Sequence, residues 1–337
     1  MRFVRIVFKI MPATLLVTAF STLVTCVHFL SPVKLAIPSV FITSISMVIS
    51  LVLVFRTNTA YERYWEGRRL WSSMSVAIRN FARIVWVNGK EDTPEDVILK
   101  KSAINMMLAF AVSVKHYLRE EFGTEYEDLK YLLKHIPELD TSASMLHSAF
   151  QPPPKSRLNL CFPILPSYKN YYEARRTHTN ILGQPFLNKL PLEITLYLSS
   201  YLQHQRNRDK LDLPSTSNGL VALGQLTECL TGLERIRCSP IPFAYTVHLI
   251  VSLWIYLLAL PFQLLSTVHW ITIPICAIAA FILLGIESIG AEIENPFGYD
   301  INDLPLDEYC EMIKLELDNV TSRPSPANSK LLLAHYD

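Results

Sequence analysis

Two blocks of apolar residues, one near each end of the chain, place the strongest constraint on the fold. Residues 11–55 contain Lys34 as their only charged side chain, and residues 241–286 contain no Lys, Arg, Asp or Glu. Each block divides at a proline-containing turn into two segments of about 20 residues, the length at which an α-helix crosses the hydrocarbon core of a bilayer. We therefore expect an all-α polytopic membrane protein with four transmembrane helices per subunit. The predicted spans are residues 11–30, 36–55, 241–262 and 267–286.

The turns of these two predicted hairpins are indicated by proline. Residues 31–34 join the first two spans, and Pro261 with residues 263–266 join the second pair. Proline lacks a backbone N–H and ends a helix nearby. Ser239-Pro240 is predicted to begin the third span, because serine caps a helix well and proline is tolerated at its first position. A basic start before an apolar run also resembles a cleaved signal peptide, but the second apolar segment follows so closely that a retained hairpin is favoured.

Basic residues lie on one side of the predicted hairpins, and this asymmetry sets the orientation. They precede the first span and follow the second, whereas the outer connections contain only Lys34. Positive residues favour the cytosolic side of a membrane. We expect both termini and the central segment to be cytosolic, with the plasma membrane favoured as the location. The basic residues concerned are Arg2, Arg5, Lys9, Arg56, Arg63, Arg68 and Arg69.

Four parts of the chain follow from this reading. Residues 1–55 form an N-terminal stub and hairpin, 56–239 a cytosolic helical region, 240–287 the second hairpin, and 288–337 a cytosolic C-terminal segment. Together they are predicted to form one integrated domain.

The central region is predicted to be a bundle of amphipathic helices. Residues 103–118 have apolar side chains at helical spacing, but lysines flank this segment and it is short, so a packed cytosolic helix is favoured over a fifth span. Residues 141–171, with three consecutive prolines, are predicted to be a loop, and residues 321–337 a tail.

Several function classes are disfavoured by composition and motifs. Lys plus Arg (31) nearly balance Asp plus Glu (30), so no net field favours nucleic acid. The six cysteines show no CxxC spacing, which disfavours a zinc site and a disulfide framework. No GxSxG, HExxH or glycine-rich phosphate loop is present, so an enzyme is not predicted.

The second span carries the most informative pattern. It continues without a helix-breaking signal into residues 56–68, which predicts one long helix that crosses the membrane and enters the cytosol. Met47, Leu51 and Phe55 recur at a spacing of four, so they share one helix face, with Ser44 and Asn58 above and below. In a symmetric oligomer this stripe would form apolar rings; the alternative is that it faces lipid or a neighbouring helix.

Three sequence motifs identify a family resemblance. The first is residues 56–68 followed by Trp71, the second is Ser-Pro-Ile-Pro-Phe-Ala-Tyr-Thr at 239–246, and the third is Glu-Ile-Glu-Asn-Pro-Phe-Gly at 292–298 with Asn-Asp-Leu-Pro-Leu-Asp at 302–307. In this order they resemble the signatures of the bestrophin family over nearly the whole chain. The third motif is more similar to the microbial and plant branch than to the animal branch.

The resemblance implies a homopentamer that conducts chloride and related small anions passively through a central pore in the bilayer. It implies that the second span lines a hydrophobic neck at Met47, Leu51 and Phe55. An apolar constriction gates by wetting and dewetting, and phenylalanine ring edges carry partial positive charge. It also implies a second, cytosolic aperture, for which Leu192 after Pro191 is the candidate; the alternative for Leu192 is ordinary bundle core.

A metal site is a further implication of the resemblance. Animal members bind calcium through acidic residues after Asn-Pro-Phe-Gly, and the corresponding positions here are Glu292, Asn295, Asp300 and Asp303. Apolar and amide residues interrupt the acidic run and leave few hard oxygen ligands. Helix capping near residue 303 accounts for these residues without a metal, so no cofactor is predicted to be required.

Two other interpretations remain open. A secondary anion transporter would use polar groups such as His28, His248 and His269, although no glycine-interrupted span is present. A membrane-anchored scaffold would have no conductance. Glutamates 287, 292 and 294 are also candidates to pair with Arg56, Arg63 or Arg68 across subunits.

Overall fold

The computed structural model describes residues 2–32, 34–38, 40–121, 126–134 and 190–323. These residues form α-helices and contain no β-strand, which confirms the all-α prediction. The predicted loop at 141–171 and the tail beyond 323 lie outside the described residues. The helices are α1 Arg2–Leu30, α2 Val40–Asn88, α3 Pro94–Leu118, α4 Glu127–Leu133, α5 Leu190–Asn207, α6 Leu213–Cys238, α7 Phe243–Val268, α8 Thr272–Ile293 and α9 Leu306–Thr321.

The chain divides into two compact units. The described residues of the first unit are 2–65 and 239–303, and those of the second are 66–134, 190–238 and 304–323. The long helix α2 contributes residues to both, as its uninterrupted sequence predicts.

The first unit packs α1, α7 and α8 with the N-terminal part of α2. Its core is aliphatic, and such side chains hold membrane helices together through van der Waals packing. Tyr245 of α7 adds a polar contact, because its hydroxyl donates a hydrogen bond to the carbonyl of Val52 in α2 (3.2 Å). The buried cluster consists of Val17, Ile49, Leu253, Leu257, Ala280 and Leu284.

The first hairpin differs from the prediction at one end. Helix α1 ends at Leu30 as expected, but α2 begins at Val40, four residues later than predicted. Pro38 is the reason, because proline pushes the preceding residue into an extended conformation. Two hydrogen bonds from backbone N–H groups hold the connection in place. The N–H of Leu35 donates to Nδ1 of the His28 side chain (3.0 Å), and that of Ile37 donates to the carbonyl of Phe262 (3.0 Å).

The second hairpin also corrects the sequence-based boundaries. Helix α7 begins at Phe243, after the second of two prolines, rather than at Ile241. It then continues through Pro261 to Val268, so Pro261 does not make the turn. A proline inside a membrane helix removes only one backbone hydrogen bond, which neighbouring groups can compensate. The turn lies at His269–Ile271, where His269 has a φ of 50°, and α8 starts at Thr272.

Helix α3 is apolar and long enough to be a span, but its burial distinguishes it. Its most apolar window is 67% buried within the protein, whereas the windows of Val7–Leu30, Thr43–Asn88 and Ala244–Ile293 are 22–33% buried. The last of these stretches combines α7 and α8. Because α3 packs against protein on most of its surface, the prediction of a packed helix at 103–118 agrees with its burial.

The second unit has an aromatic core surrounded by ion pairs. Trp71, Phe81 and Phe110 are almost completely buried. Asp307 of α9 pairs with Lys115 Nζ of α3 (2.9 Å) and with Nη2 of Arg119, the residue after α3 (2.8 Å). Burial alone would raise the pKa of Asp307, but the hydrogen bonds from Arg119 and Lys115 outweigh it and lower that pKa to about 2.

Candidate functional site

The exposed stripe on α2 is the leading site candidate in the first unit. Met47, Leu51 and Phe55 are 77%, 54% and 57% exposed within the single chain. The opposite face of the same helix, including Ile49 and Leu53, is buried. Helix α2 therefore packs through one face and presents an apolar stripe on the other, as required of a helix that lines a shared conduit or faces lipid.

Polar side chains along this part of α2 are satisfied by the helix itself. The hydroxyl of Ser44 donates to the carbonyl of Val40 (3.2 Å), that of Ser50 to Ser46 (2.7 Å) and that of Thr59 to Phe55 (2.9 Å). Such bonds to the preceding turn remove the cost of exposing a hydroxyl to an apolar environment. The stripe is accordingly apolar in its chemistry between Ser44 and Asn58.

Arg56 follows the stripe directly and lies on the buried face of α2. Its side chain is fully buried, with Nη2 3.4 Å from Oε1 of Glu287 and 3.8 Å from Oε2 of Glu294. A Cβ added at Gly290 would lie 3.8 Å from Nε, an ordinary van der Waals distance, so α8 passes close to the guanidinium at this point. Arg56 therefore fixes α2 against α8 at the end of the apolar stripe, since a buried cation requires carboxylate partners.

Arg63, two turns further along α2, contacts the residues beside the ends of α7 and α8. Its Nε donates to the backbone carbonyl of Glu294 (2.9 Å), and its Nη1 reaches the carbonyl of Ser239. The carboxylate of Glu294 also accepts a bond from the N–H of Ile241 (3.2 Å). Of the candidate pairs between these acids and arginines, those of Arg56 with Glu287 and Glu294 form within one chain.

The Asn-Pro-Phe-Gly motif forms a compact turn after α8. Phe297 is completely buried. The Oδ2 of Asp303 accepts a bond from the backbone N–H of Asp300 (2.7 Å), and the amide of Asn302 donates to Oε1 of Glu292 (3.1 Å). These bonds explain the polar residues of the motif as parts of the turn.

The four positions that correspond to the calcium site of animal members are only partly brought together. Asp300 and Asp303 contact each other, Glu292 contacts Asn302, and Asn295 is exposed. Within residues 2–121, 126–134 and 190–323, apart from the two short gaps at 33 and 39, no three His, Cys, Asp or Glu side chains are arranged to hold a metal. That no calcium is required at these positions stays a prediction.

The last residue of the motif, Gly298, lies where a side chain has no room. A Cβ at this position would lie 2.7 Å from Oδ2 of Asp303, closer than real Cβ contacts allow. We expect Gly298→Ala to displace Asp303 and to lower the free energy of unfolding by about 1–3 kcal/mol, as overpacking does. Thermal denaturation of purified protein would measure the change.

Gly224 is the matched control for this prediction. It lies inside α6, and a Cβ there would meet no atom within 4 Å. Gly224→Ala should therefore leave stability unchanged or raise it by about 1 kcal/mol through helix propensity. Equal effects at the two glycines would contradict the steric explanation.

Leu192 lies in the second unit, in the first turn of α5, and is half-buried. Its carbonyl accepts a hydrogen bond from the hydroxyl of Thr195 (2.7 Å). These contacts are compatible with both readings of Leu192, as an aperture residue and as bundle core.

Arg56 is the residue whose environment the sequence does not predict. It is a candidate for pairing across subunits, whereas the structure buries its side chain completely beside Glu287 and Glu294 of the same chain. One available signal is its position as the first charge after an apolar run.

Comparison with known proteins agrees with this architecture. Residues 3–319 match the family described as bacterial and fungal bestrophin protein. A voltage-dependent anion channel-forming protein of Nostoc sp. is 36% identical over 305 residues, which cover 90% of this chain and 84% of the relative. A protein of the same name from Synechocystis sp. is 35% identical over 279 residues, 83% of this chain and 76% of the relative.

Solved structures share the fold. A bacterial bestrophin homolog from Klebsiella pneumoniae superimposes with a TM-score of 0.70 at 23% identity, over 94% of this chain and 99% of the other. The helices define an integral membrane protein of the polytopic α-helical class. Given the match over nearly its whole length, the chain belongs to the bestrophin family.

Proposed function

We propose that this protein is an ion channel that conducts chloride and related small anions passively, as a homopentamer with a central pore. The observation that carries the proposal is the exposed stripe of Met47, Leu51 and Phe55 on a helix whose other face is packed. Relatives at 35–36% identity are named voltage-dependent anion channel-forming proteins, which supports anion conduction.

The stripe would form a hydrophobic neck in such an assembly. Rings of apolar side chains exclude water from a narrow pore and so act as a gate. Phe55, at the cytosolic end, can turn its positively polarised ring edges toward a partly dehydrated anion. The segment from Val40 to Phe55 contains no acidic residue, so no carboxylate ring opposes anions within the neck.

The remaining features of the proposal follow from the same assembly. Both termini are cytosolic, the plasma membrane is the favoured location, and Leu192 forms a second, cytosolic aperture. Chloride is the permeant ion rather than a cofactor. The protein performs no enzymatic chemistry, and calcium at residues 292–303 is not required for conduction.

Recording from purified protein in planar bilayers tests the proposal. We expect an ohmic current whose reversal potential follows the chloride gradient and is little affected by a change of cation. A flux that saturates and couples to protons would instead indicate a secondary transporter, and absence of any flux would indicate a scaffold without conductance.

A further inference from the structure

Glu62 is a charged side chain that continues the exposed face of α2 below the apolar stripe. It follows Phe55 by seven residues, which is two helical turns, so the two side chains share a face at an axial separation of about 10 Å. Asn58 lies between them, and both Asn58 and Glu62 are exposed. The exposed face thus changes from apolar to acidic within two helical turns of Phe55.

The other charges on the part of α2 in the first unit point elsewhere. Between residues 40 and 65 the charged side chains are Arg56, Glu62 and Arg63. Arg56 is buried beside Glu287, and Arg63 donates to the backbone of Glu294. Glu62 makes no hydrogen bond or ion pair with any residue that the structure describes. Its negative charge therefore has no paired cation among residues 40–65.

We propose that Glu62 determines charge selectivity in the pathway. The inference rests on the proposed channel function: symmetric copies of α2 that present Phe55 to a pore would present Glu62 to it two turns further into the cytosol. The result is a ring of carboxylates at the cytosolic end of the neck. Unlike the uncharged neck, this ring repels anions and attracts cations.

The electrostatics of a narrow passage make such a ring effective. Charges in a cleft with low-dielectric walls focus the field and change the local concentration of ions of each sign. The Debye length at physiological salt is about 8 Å, so an ion that passes within this distance of the carboxylates experiences their field with little screening. The ring therefore lowers anion entry from the cytosolic side and weakens the preference for chloride over sodium.

Reversal potentials of the full-length protein in bilayers test this role. Glu62→Gln should raise the chloride to sodium permeability ratio by about threefold or more, with a larger effect at low salt than at high salt. Glu62→Asp keeps the charge and should retain the parent ratio. Glu95→Gln removes one exposed carboxylate from the first turn of α3 and is the charge-matched control. An unchanged ratio in Glu62→Gln, in a protein that conducts, would overturn the proposal.

A second measurement does not depend on current. The Glu62→Cys variant in liposomes should be modified by a charged, water-soluble thiol reagent, detected as a mass shift above the background of the parent cysteines. Failure of this labelling would overturn the placement of Glu62 in an aqueous path. Efficient labelling together with absence of current in the parent protein would instead reject the proposed channel function.

Discussion

Replacing Arg56 with methionine should destabilise the first unit by about 3–5 kcal/mol, since removal of one partner from a buried ion pair leaves an uncompensated charge. Two carboxylates, Glu287 and Glu294, would remain beside the vacated position, with side-chain exposures of 19% and 15%. Thermal unfolding in detergent, followed by loss of the folded peak in size-exclusion chromatography, measures this effect. We expect a fall in midpoint of about 5 °C or more.

A combined variant separates charge from packing. Arg56→Met together with Glu287→Gln and Glu294→Gln removes all three charges and should recover much of the lost stability, because apolar or neutral replacement of a buried ionic group is often tolerated. Glutamine at 294 can still accept the hydrogen bond from Ile241. Arg69→Met, at an exposed position further along α2, should change stability by no more than about 0.5 kcal/mol.

If the triple variant were as unstable as Arg56→Met alone, the ion pairs would not be the source of the effect. The arginine would then act mainly through the volume of its side chain. A loss of stability in Arg69→Met equal to that in Arg56→Met would show that any arginine of α2 is needed, and would contradict the burial argument.

Much of this fold could be predicted from the hydropathy pattern. The two apolar blocks gave the number of spans, because no soluble arrangement requires charge-free stretches of this length. The continuity of α2 from the second span into residues 56–68 was predicted from the absence of proline there, and the helix in fact continues to Asn88. The shared face of Met47, Leu51 and Phe55 followed from helical geometry alone.

The helix ends and the burial of particular residues could not be predicted in the same way. Pro38 precedes the start of α2, whereas Pro261 lies inside α7, so a proline in the sequence does not by itself mark a helix end. Helix α3 is as apolar as a span, and hydropathy does not distinguish lipid from a protein core. Lys100 and Lys115, which flank the apolar part of α3, are the sequence feature that favours a packed helix over a span.

If the exposed stripe of α2 forms the proposed neck, smaller side chains in the stripe should increase the current. In the variant Leu51→Ala/Phe55→Ala we expect single-channel conductance, or the open probability, to rise by about tenfold, which corresponds to a barrier lowered by about 1.4 kcal/mol. The physical reason is that smaller side chains allow water to remain in the constriction. Ile255→Ala is the control, since Ile255 is an equally exposed apolar residue (57%) on α7.

The decisive comparison is between size and wetting. Asparagine is smaller than leucine but larger than alanine, and it offers a donor and an acceptor to water. If the neck gates by dewetting, Leu51→Asn should increase current more than Leu51→Ala does, although it leaves the constriction narrower. If the neck acts only as a steric barrier, Leu51→Ala should conduct more than Leu51→Asn. No change in either variant, with a response in Ile255→Ala, would move the pathway away from the exposed face of α2.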